Sequence, residues 1–592
     1  MSEYARLSPP PLTRTQSLSA GAIAVVAAAS RFLAVARSPW DWDEMLFCLA
    51  MRGYDVAQHH PHPPGFPLFI ALAKVVRLVL LDDFRSLQGV SVIAGMLLFP
   101  AVLMLGRELG LRAETAMAGA ALCAFFPNVW FFGGTAFSDV PSIVLATFAA
   151  ALLLRGRREP RAFLAGALVL AAAAAIRPQN LLIGLVPGIA ATLRNSRKHV
   201  ALAAFGGAAI LGVAFGAAAA ATGGLAPFMN AVRDHGDYIA RTDSFRSPLR
   251  PALWRLFDDF FIRNYQSPLL GWITTIFVAA ALVAAARRRD RRIGMLVLTF
   301  APFAVLAWLM LDRFSISRFS IGYCPLFALL AAYGIETLAR GRAAAQAVVA
   351  AALTVAFIVY TWPALAVVRR EDSPPVRAVR AARSIGAPHQ LYVAHSMSPF
   401  AEYFLRRTPY IRVAGERALL LGDPPARRPW LLTELSSTSP RELTFRRARG
   451  HLWNIARRHF FDVALAPVAA LPEFVSGWYP PERLGVDEWR WTAGRAVTNL
   501  PAASGDTILA LDFDIPDHLR PPVITFTLNG TIIDSFRPTT GHTRKEYGVT
   551  GAAANVLEIA VDPTYNSARE KTGDDDREVG ILVRELSWGP AS

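Results

Sequence analysis

Cysteine is scarce, with three in 592 residues. Cys48, Cys123 and Cys324 lie in or near apolar segments and far apart in sequence. They supply neither a disulfide framework nor metal-ligand spacing. Charged side chains are scarce in the middle of the long apolar runs, which are mostly Ala, Leu and Val, and gather instead at their ends. A pump or channel should carry ionisable groups deep within its spans, and a transporter or flippase should show internal repeats. The sequence displays neither. The N-terminal MSEYARLSPPPLTRTQS has no small-residue cleavage site after a short apolar core, so the first span is expected to stay as an anchor.

What is present is apolar sequence, unevenly spread. Hydrophobic residues make up 53% of the chain, and the net charge is +16. From about Leu18 to Trp362 apolar blocks alternate with short basic or polar breaks; from Arg369 onward the texture is that of a soluble protein. The excess of Lys and Arg falls in short clusters between apolar spans, a topology signal rather than a nucleic-acid surface. A spanning helix needs about 20 apolar residues. Spans are expected near 18–37, 86–106, 114–132, 140–155, 162–177, 180–194, 200–221, 268–286, 293–311, 321–338 and 343–362, about eleven in all, after a cytoplasmic tail of residues 1–17. The clusters RGRREPR (155–161), RNSRK (194–198), RRRDRR (287–292) and ARGR (339–342) should be cytoplasmic. Alternation then requires that 61–83, interrupted by Lys74, Arg77, Asp82 and Asp83, lie as a juxtamembrane helix at the outer face. The acidic first loop, Asp139, Arg177, the loop 222–267, Arg318 and the C-terminal region fall outside.

Beyond the spans, 363–462 mixes helical patterns with strands such as QLYVAH (390–395) and FDVALAPV (461–468), a small α/β segment. Residues 463–592 read as a β-sandwich or jelly roll. TILALDFDI, PVITFTLNGTIID, NVLEIAVD and VGILVRELSW alternate apolar and polar residues, and Asn529-Gly530 is a hairpin signal. GDDDRE (573–578) lacks the spacing of a calcium-binding loop and reads as a turn.

The chemistry concentrates in PWDWDEMLFCLAMRGYDVAQHHPHPPGFPL (39–68). Acids and imidazoles at a bilayer edge are costly to desolvate. Asp41, Asp43 and Glu44 are candidates for taking a proton from an acceptor hydroxyl or amine, and Asp41 with Asp43 could hold a divalent cation. Asp139, in GGTAFSDVPS, is either a helix N-cap or a site carboxylate. Arg177, ending AAAAAIRPQN, and Arg318, in DRFSISRFSIGY, either snorkel to the interface or bind a lipid phosphate. His59, His60 and His62 can bind phosphate or metal, or order the loop, and PHPPG fixes the backbone beyond them. His235, Asp237, Tyr238 and Arg241 are candidates for an acceptor or sugar pocket. Carboxylates and arginines at headgroup depth suit a reaction on a lipid-linked phosphate.

At these residues the chain resembles the GT-C superfamily of membrane glycosyltransferases, which includes protein O-mannosyltransferases and the aminoarabinose transferases of lipid A. The likeness rests on Asp43-Glu44 in a first outer loop, PHPPGFPLF after it, an outer Asp139 and the RPQ at 177–179. It covers roughly 18–362 and implies a polyprenyl-phosphate-linked sugar donor, a lipid, glycan or protein acceptor, and inversion at the anomeric carbon on the periplasmic side of a bacterial inner membrane. It implies Asp43 as base, although DWDE is richer than the usual pattern and leaves Asp41 a rival. It further implies Asp139 assisting at the acceptor, and Arg177 and Arg318 on the donor phosphate. The C-terminal GWYPPE, WRWT, LNG and GDDDRE resemble carbohydrate-binding modules, with Trp478, Tyr479, Trp489 and Trp491 able to stack on sugars or pack a core. The alternatives are a lipid-linked-glycan flippase, or a non-catalytic polysaccharide-assembly factor whose β-domain carries the function.

Overall fold

The computed structural model describes residues 9–242, 244–247, 250–263, 267–310, 316–386, 390–423, 428–435, 443–446, 462–468, 471–515, 521–539 and 541–591. The chain divides into two compact units, the first ending at Ser373 and the second built from Pro374 onward.

The first unit is helical. In order it comprises α1 (Arg14–Ser30), α2 (Trp42–Arg52), α3 (Pro67–Leu80), α4 (Asp83–Glu108), α5 (Ala113–Phe125), α6 (Pro127–Phe132), α7 (Asp139–Arg155), α8 (Pro160–Ile176), α9 (Leu181–Thr192), α10 (Arg197–Ala221), α11 (Leu225–Thr242), α12 (Leu253–Phe257), α13 (Pro268–Arg288), α14 (Arg291–Met310), α15 (Ile316–Phe319), α16 (Cys324–Leu338) and α17 (Ala343–Arg370). Proline at the first turn, where its missing N–H costs nothing, opens α3, α6, α8, α13 and α16. Side chains of Thr13, Asp41, Asp82, Ser196 and Ser267 cap α1, α2, α4, α10 and α13.

Helix covers most of each expected span, but among the described residues seven helices, not eleven, are long and apolar enough to cross a membrane by length and composition. The chain is a polytopic helical membrane protein. Two expectations need correction. The stretch 114–132 is not one helix: Phe126, forced toward extended backbone by Pro127, separates α5 from α6. Residues 222–267, expected as a loop, contain α11 and α12, because their polar residues occupy one side of a helix rather than a turn. The stretch 61–83, expected as one helix, is helical over Pro67–Leu80 as α3.

Hydrogen bonds between connections fix which helix ends meet. At one end Asn195 Nδ2 donates to Gly156 O (2.8 Å), Arg292 Nη1 to Gly110 O (2.9 Å) and Arg112 Nη1 to Gly341 O (3.2 Å), which gathers the basic loops. At the other, Ala36 N donates to Gly134 O (3.0 Å) and Arg85 Nη1 to Ala36 O (2.7 Å). Gln88 Nε2 ties the same two carbonyls at 2.9 and 2.7 Å. A Cβ on Gly134 would collide with Ala34 O, so the GGTAFSD turn needs glycine there.

The second unit begins with α18 (Pro374–Gly386), β1 (Leu391–Ala394), α19 (Ser398–Phe404), β2 (Tyr410–Val413), β3 (Trp430–Glu434), β4 (Leu443–Phe445) and β5 (Val463–Pro467). Their sheet has the order β2-β1-β3-β5-β4; β1 runs parallel to β2 and β3, and β5 antiparallel to β3 and β4. Residues 447–461 of the expected α/β segment lie outside the described residues. β5 belongs to this sheet and not to the sandwich, which begins later than 463.

The sandwich contains β6 (Glu473–Trp478), β7 (Glu482–Leu484), β8 (Asp487–Leu500), β9 (Gly505–Ile515), β10 (Val523–Leu528), β11 (Thr531–Phe536), β12 (Gly541–Gly551), β13 (Asn555–Asp562) and β14 (Leu582–Pro590). The long β8 belongs to both layers. Arg490 and Trp491 pair with β14, which continues to β9 and β12; residues 495–500 pair with β13, which continues to β10 and β11. Alternate residues of both layers, including Leu509, Leu511, Phe513, Phe526, Ile559 and Trp588, fill the core.

Candidate active site

The DWDE segment enters α2 as a cap. Asp41 Oδ1 accepts from Asp43 N (2.8 Å), while Glu44 Oε2 turns back to accept from Trp40 N (2.7 Å) and Asp41 N (3.1 Å). Glu44 Oε1 accepts a third N–H, that of Ala136, at 2.9 Å. Asp41 and Glu44 are therefore buried and turned inward, and Glu44 bolts the start of α2 to the turn before α7. Burial pushes the Glu44 carboxyl up to about 8, with the Ala136 and Trp40 N–H groups pulling the other way.

Asp43, between them, faces the opposite direction. Arg318 Nη1 reaches Asp43 Oδ2 at 2.7 Å, with its guanidinium carbon 4.7 Å from the centre of the Phe137 ring. His62 Nδ1 stands 3.9 Å from Asp43 Oδ1. It is brought there by PHPPG, in which Gly65 has φ +95°, and a Cβ at Gly65 would strike the hydroxyl of Tyr54, which donates to Gly65 O at 2.8 Å. The His62 ring packs on Phe47 (5.7 Å) and Phe66 (4.8 Å). Burial pushes His62 down to about 4; Asp43 opposes that, and His235, Arg318 and Arg177 reinforce it. His62 is thus a neutral imidazole at pH 7.

A second ion pair adjoins the first. Arg177, at the end of α8, donates from Nη2 to Asp139 Oδ2 (2.8 Å) and from Nε to Ser138 Oγ (2.9 Å). Its guanidinium carbon lies 5.4 Å from the centre of the Phe66 ring, which also packs on His62. Two arginines, two carboxylates and a neutral imidazole from five separated stretches thus meet at the end of the bundle opposite the basic loops. Such an arrangement can accept a proton at Asp43 and present bidentate guanidinium donors to a phosphate.

The remaining candidates fall unevenly. His235 on α11 reaches the cluster, 5.9 Å from His62 and 6.1 Å from His59. Tyr238 stacks on His235 but is half exposed, and Asp237 and Arg241 lie exposed farther along α11. The backbone of His60 pairs with Asp55 and shapes the loop. Sequence reasoning missed Ser138, Phe66 and Phe137; only their adjacency to Asp139 and to PHPPG could have signalled them. Among the described residues no group of three His, Cys, Asp or Glu is placed to hold a metal.

In the second unit, Trp478 packs on Phe474 (5.0 Å) against the sandwich core and donates to Val497 O (3.2 Å). Tyr479 donates to Glu578 O (3.0 Å) beneath Arg577, and Trp489 donates to Glu482 Oε2 (3.0 Å) with Arg584 6.0 Å from its ring centre. Trp489 and Trp491 share the partly exposed face of β8.

No family model and no curated protein matches the chain. Among solved structures it is similar to ArnT from Cupriavidus metallidurans bound to undecaprenyl phosphate, at 13% identity and TM-score 0.48 over 78% of this chain and 99% of that one. It is also similar to the Archaeoglobus fulgidus oligosaccharyltransferase, at 10% identity and TM-score 0.45 over 95% and 98% of the two chains. These likenesses are of fold alone. A third similarity is that of a family 35 carbohydrate-binding module from Clostridium thermocellum, with 14% identity and TM-score 0.14, to 21% of this chain, covering 100% of the module. Likenesses of this size assign no donor, acceptor or residue; those rest on the chain's own geometry.

Proposed function

We propose that the chain transfers a sugar from a polyprenyl-phosphate-linked donor to an acceptor hydroxyl or amine, with inversion, at the periplasmic face of a bacterial inner membrane. The observation that carries this reading is the convergence of the Asp43–Arg318 and Asp139–Arg177 pairs around His62. Asp43 takes the acceptor proton as the acceptor oxygen or nitrogen attacks the anomeric carbon. The bond from that carbon to the phosphate oxygen breaks, and polyprenyl phosphate leaves with its charge held by Arg177 and Arg318. Asp139, already gripped by Arg177, lies where it can orient the acceptor, and neutral His62 can hydrogen-bond either substrate. Asp43 is favoured over Asp41 as base because Asp41 is committed to capping α2. In this reading the sandwich stands in the periplasm and its aromatic face of Tyr479, Trp489 and Trp491 contacts glycan.

The test is transfer by purified protein from radiolabelled polyprenyl-phosphate sugars in membrane extract, wild type beside Asp43→Asn. Label moving to a new product with the wild type, and about 10²–10⁴-fold more slowly with the variant, supports the reading. Near-wild-type transfer by Asp43→Asn moves the base to Asp41 or Asp139. No release from any donor defeats the enzyme reading.

A further inference from the structure

Within the second unit, a cavity of about 550 Å³ lies between the five-stranded sheet and the sandwich. No step of the proposed transfer uses it. Its volume falls in the range of small-molecule sites, about 300–1,000 Å³. Arg412 of β2 forms one wall with Asp487, held by a two-pronged contact at 2.9 and 2.8 Å. Leu419 and Leu421, anchored in the sandwich core, form an apolar part of the lining. The remaining polar lining comes from His395 after β1, Glu488 of β8, and residues of β9, β12 and β14.

The lining charges nearly cancel. Three arginines, at 412, 544 and 584, face the four carboxylates of Asp487, Glu488, Asp512 and Glu585, with His395 and His542 beside them. A phosphate or nucleotide site needs a surplus of cationic donors, and a cation site needs grouped ligands, which the described residues lack. Donors and acceptors in equal measure match a polyol, because each hydroxyl both donates and accepts. Some of that capacity is unused. Arg544 stands 3.6 Å from Glu585 and 3.9 Å from Asp512, in charge contact but beyond hydrogen-bond length. The Asp512 side chain is partly exposed, with Oδ1 against His542 Nε2 (3.2 Å) and Oδ2 facing Arg544.

The cavity also borders the aromatic surface, through Arg584. Arg584 lines it while standing over Trp489, and Asp487, Trp489 and Trp491 alternate along the same face of β8. An occupant emerging beside Asp487 therefore meets indole surface. We propose that this cavity binds a short neutral saccharide, with Arg544 and Asp512 hydrogen-bonding its hydroxyls and Trp489 receiving the sugar that protrudes. The site is separate from the transfer site and does not depend on transfer being the activity.

The test uses full-length protein in detergent and four probes: tetrasaccharides of arabinofuranose, mannose, galactose and glucose. Saturation-transfer NMR detects binding and titration calorimetry measures it. At least one probe should bind, and Arg544→Ala and Asp512→Asn should each weaken it at least about tenfold. Arg544 is half exposed, so its removal leaves the fold in place. Asp43→Asn should leave the affinity unchanged. Binding lost only with Asp43→Asn, binding untouched by both cavity variants, or no binding by any probe would overturn the assignment. So would inorganic phosphate binding that Arg544→Ala abolishes.

Discussion

Replacing Glu44 by Gln isolates what that buried carboxyl group does. Both its oxygens are occupied by backbone donors, two on Oε2 and one on Oε1. Glutamine fills the same space but has one acceptor oxygen. In its better orientation it keeps Trp40 and Asp41 and turns an N–H₂ toward the Ala136 N–H. One buried donor is orphaned, a cost of about 1–3 kcal/mol. The loss falls on the joint between the start of α2 and the turn before α7, so Asp43 and Asp139 lose their fixed separation. Misplacement on the order of 1 Å costs up to about 10²-fold in rate. Glu44→Gln should therefore unfold at lower denaturant and transfer about 10- to 100-fold more slowly, still faster than Asp43→Asn. There is also a pH signature. Burial raises the folded-state value from 4.5 to about 8, so between those values the folded chain keeps a proton that the unfolded chain has released. The stability this contributes is complete below about pH 4.5 and is lost as pH rises through about 8. Glu44→Gln should flatten that slope. A variant as inactive as Asp43→Asn but unchanged in stability would mean that Glu44 touches the reacting atoms, and the positioning argument would fail.

Two further predictions test the surroundings. Gly65→Ala meets Tyr54 and Val56 at φ +95°, and should cost about 1–3 kcal/mol and slow transfer; adding Tyr54→Phe should restore part of the stability, as read by chemical denaturation. Asp139→Ala alone leaves Arg177 buried without its counter-charge and should cost about 3–5 kcal/mol, whereas Asp139→Ala with Arg177→Met should recover most of the stability yet stay inactive in the transfer assay. An active double variant would remove both residues from the site.

The helical layout was legible because a bilayer demands long apolar runs, and the basic loops reported which ends belong together. The acids and arginines stood out because charge at the end of an apolar run is expensive without a purpose. Their division of labour was hidden. Asp41, Asp43 and Glu44 are chemically alike, and only the turn of the chain into α2 aims one outward and two inward. Phe66 and Phe137 were invisible as site residues because apolar side chains in an apolar segment carry no mark; only the fold shows them beneath the guanidiniums. α11 was missed because charged residues dominate its exposed side. The boundary at 463 cut through FDVALAPV, a strand read as part of the α/β segment, and its pairing with β3 keeps the whole strand there.

The two arginines already hold carboxylates before any substrate arrives. For the proposed reaction this makes anion binding an exchange. An incoming phosphate gains a guanidinium only as Asp43 or Asp139 loosens its hold, which frees that carboxylate for the acceptor at the moment the donor is seated. Once the sugar has moved, the returning carboxylate competes for the same guanidinium and helps expel the lipid phosphate. A site wired in this way resists clogging by its own product, and ambient phosphate should inhibit it weakly.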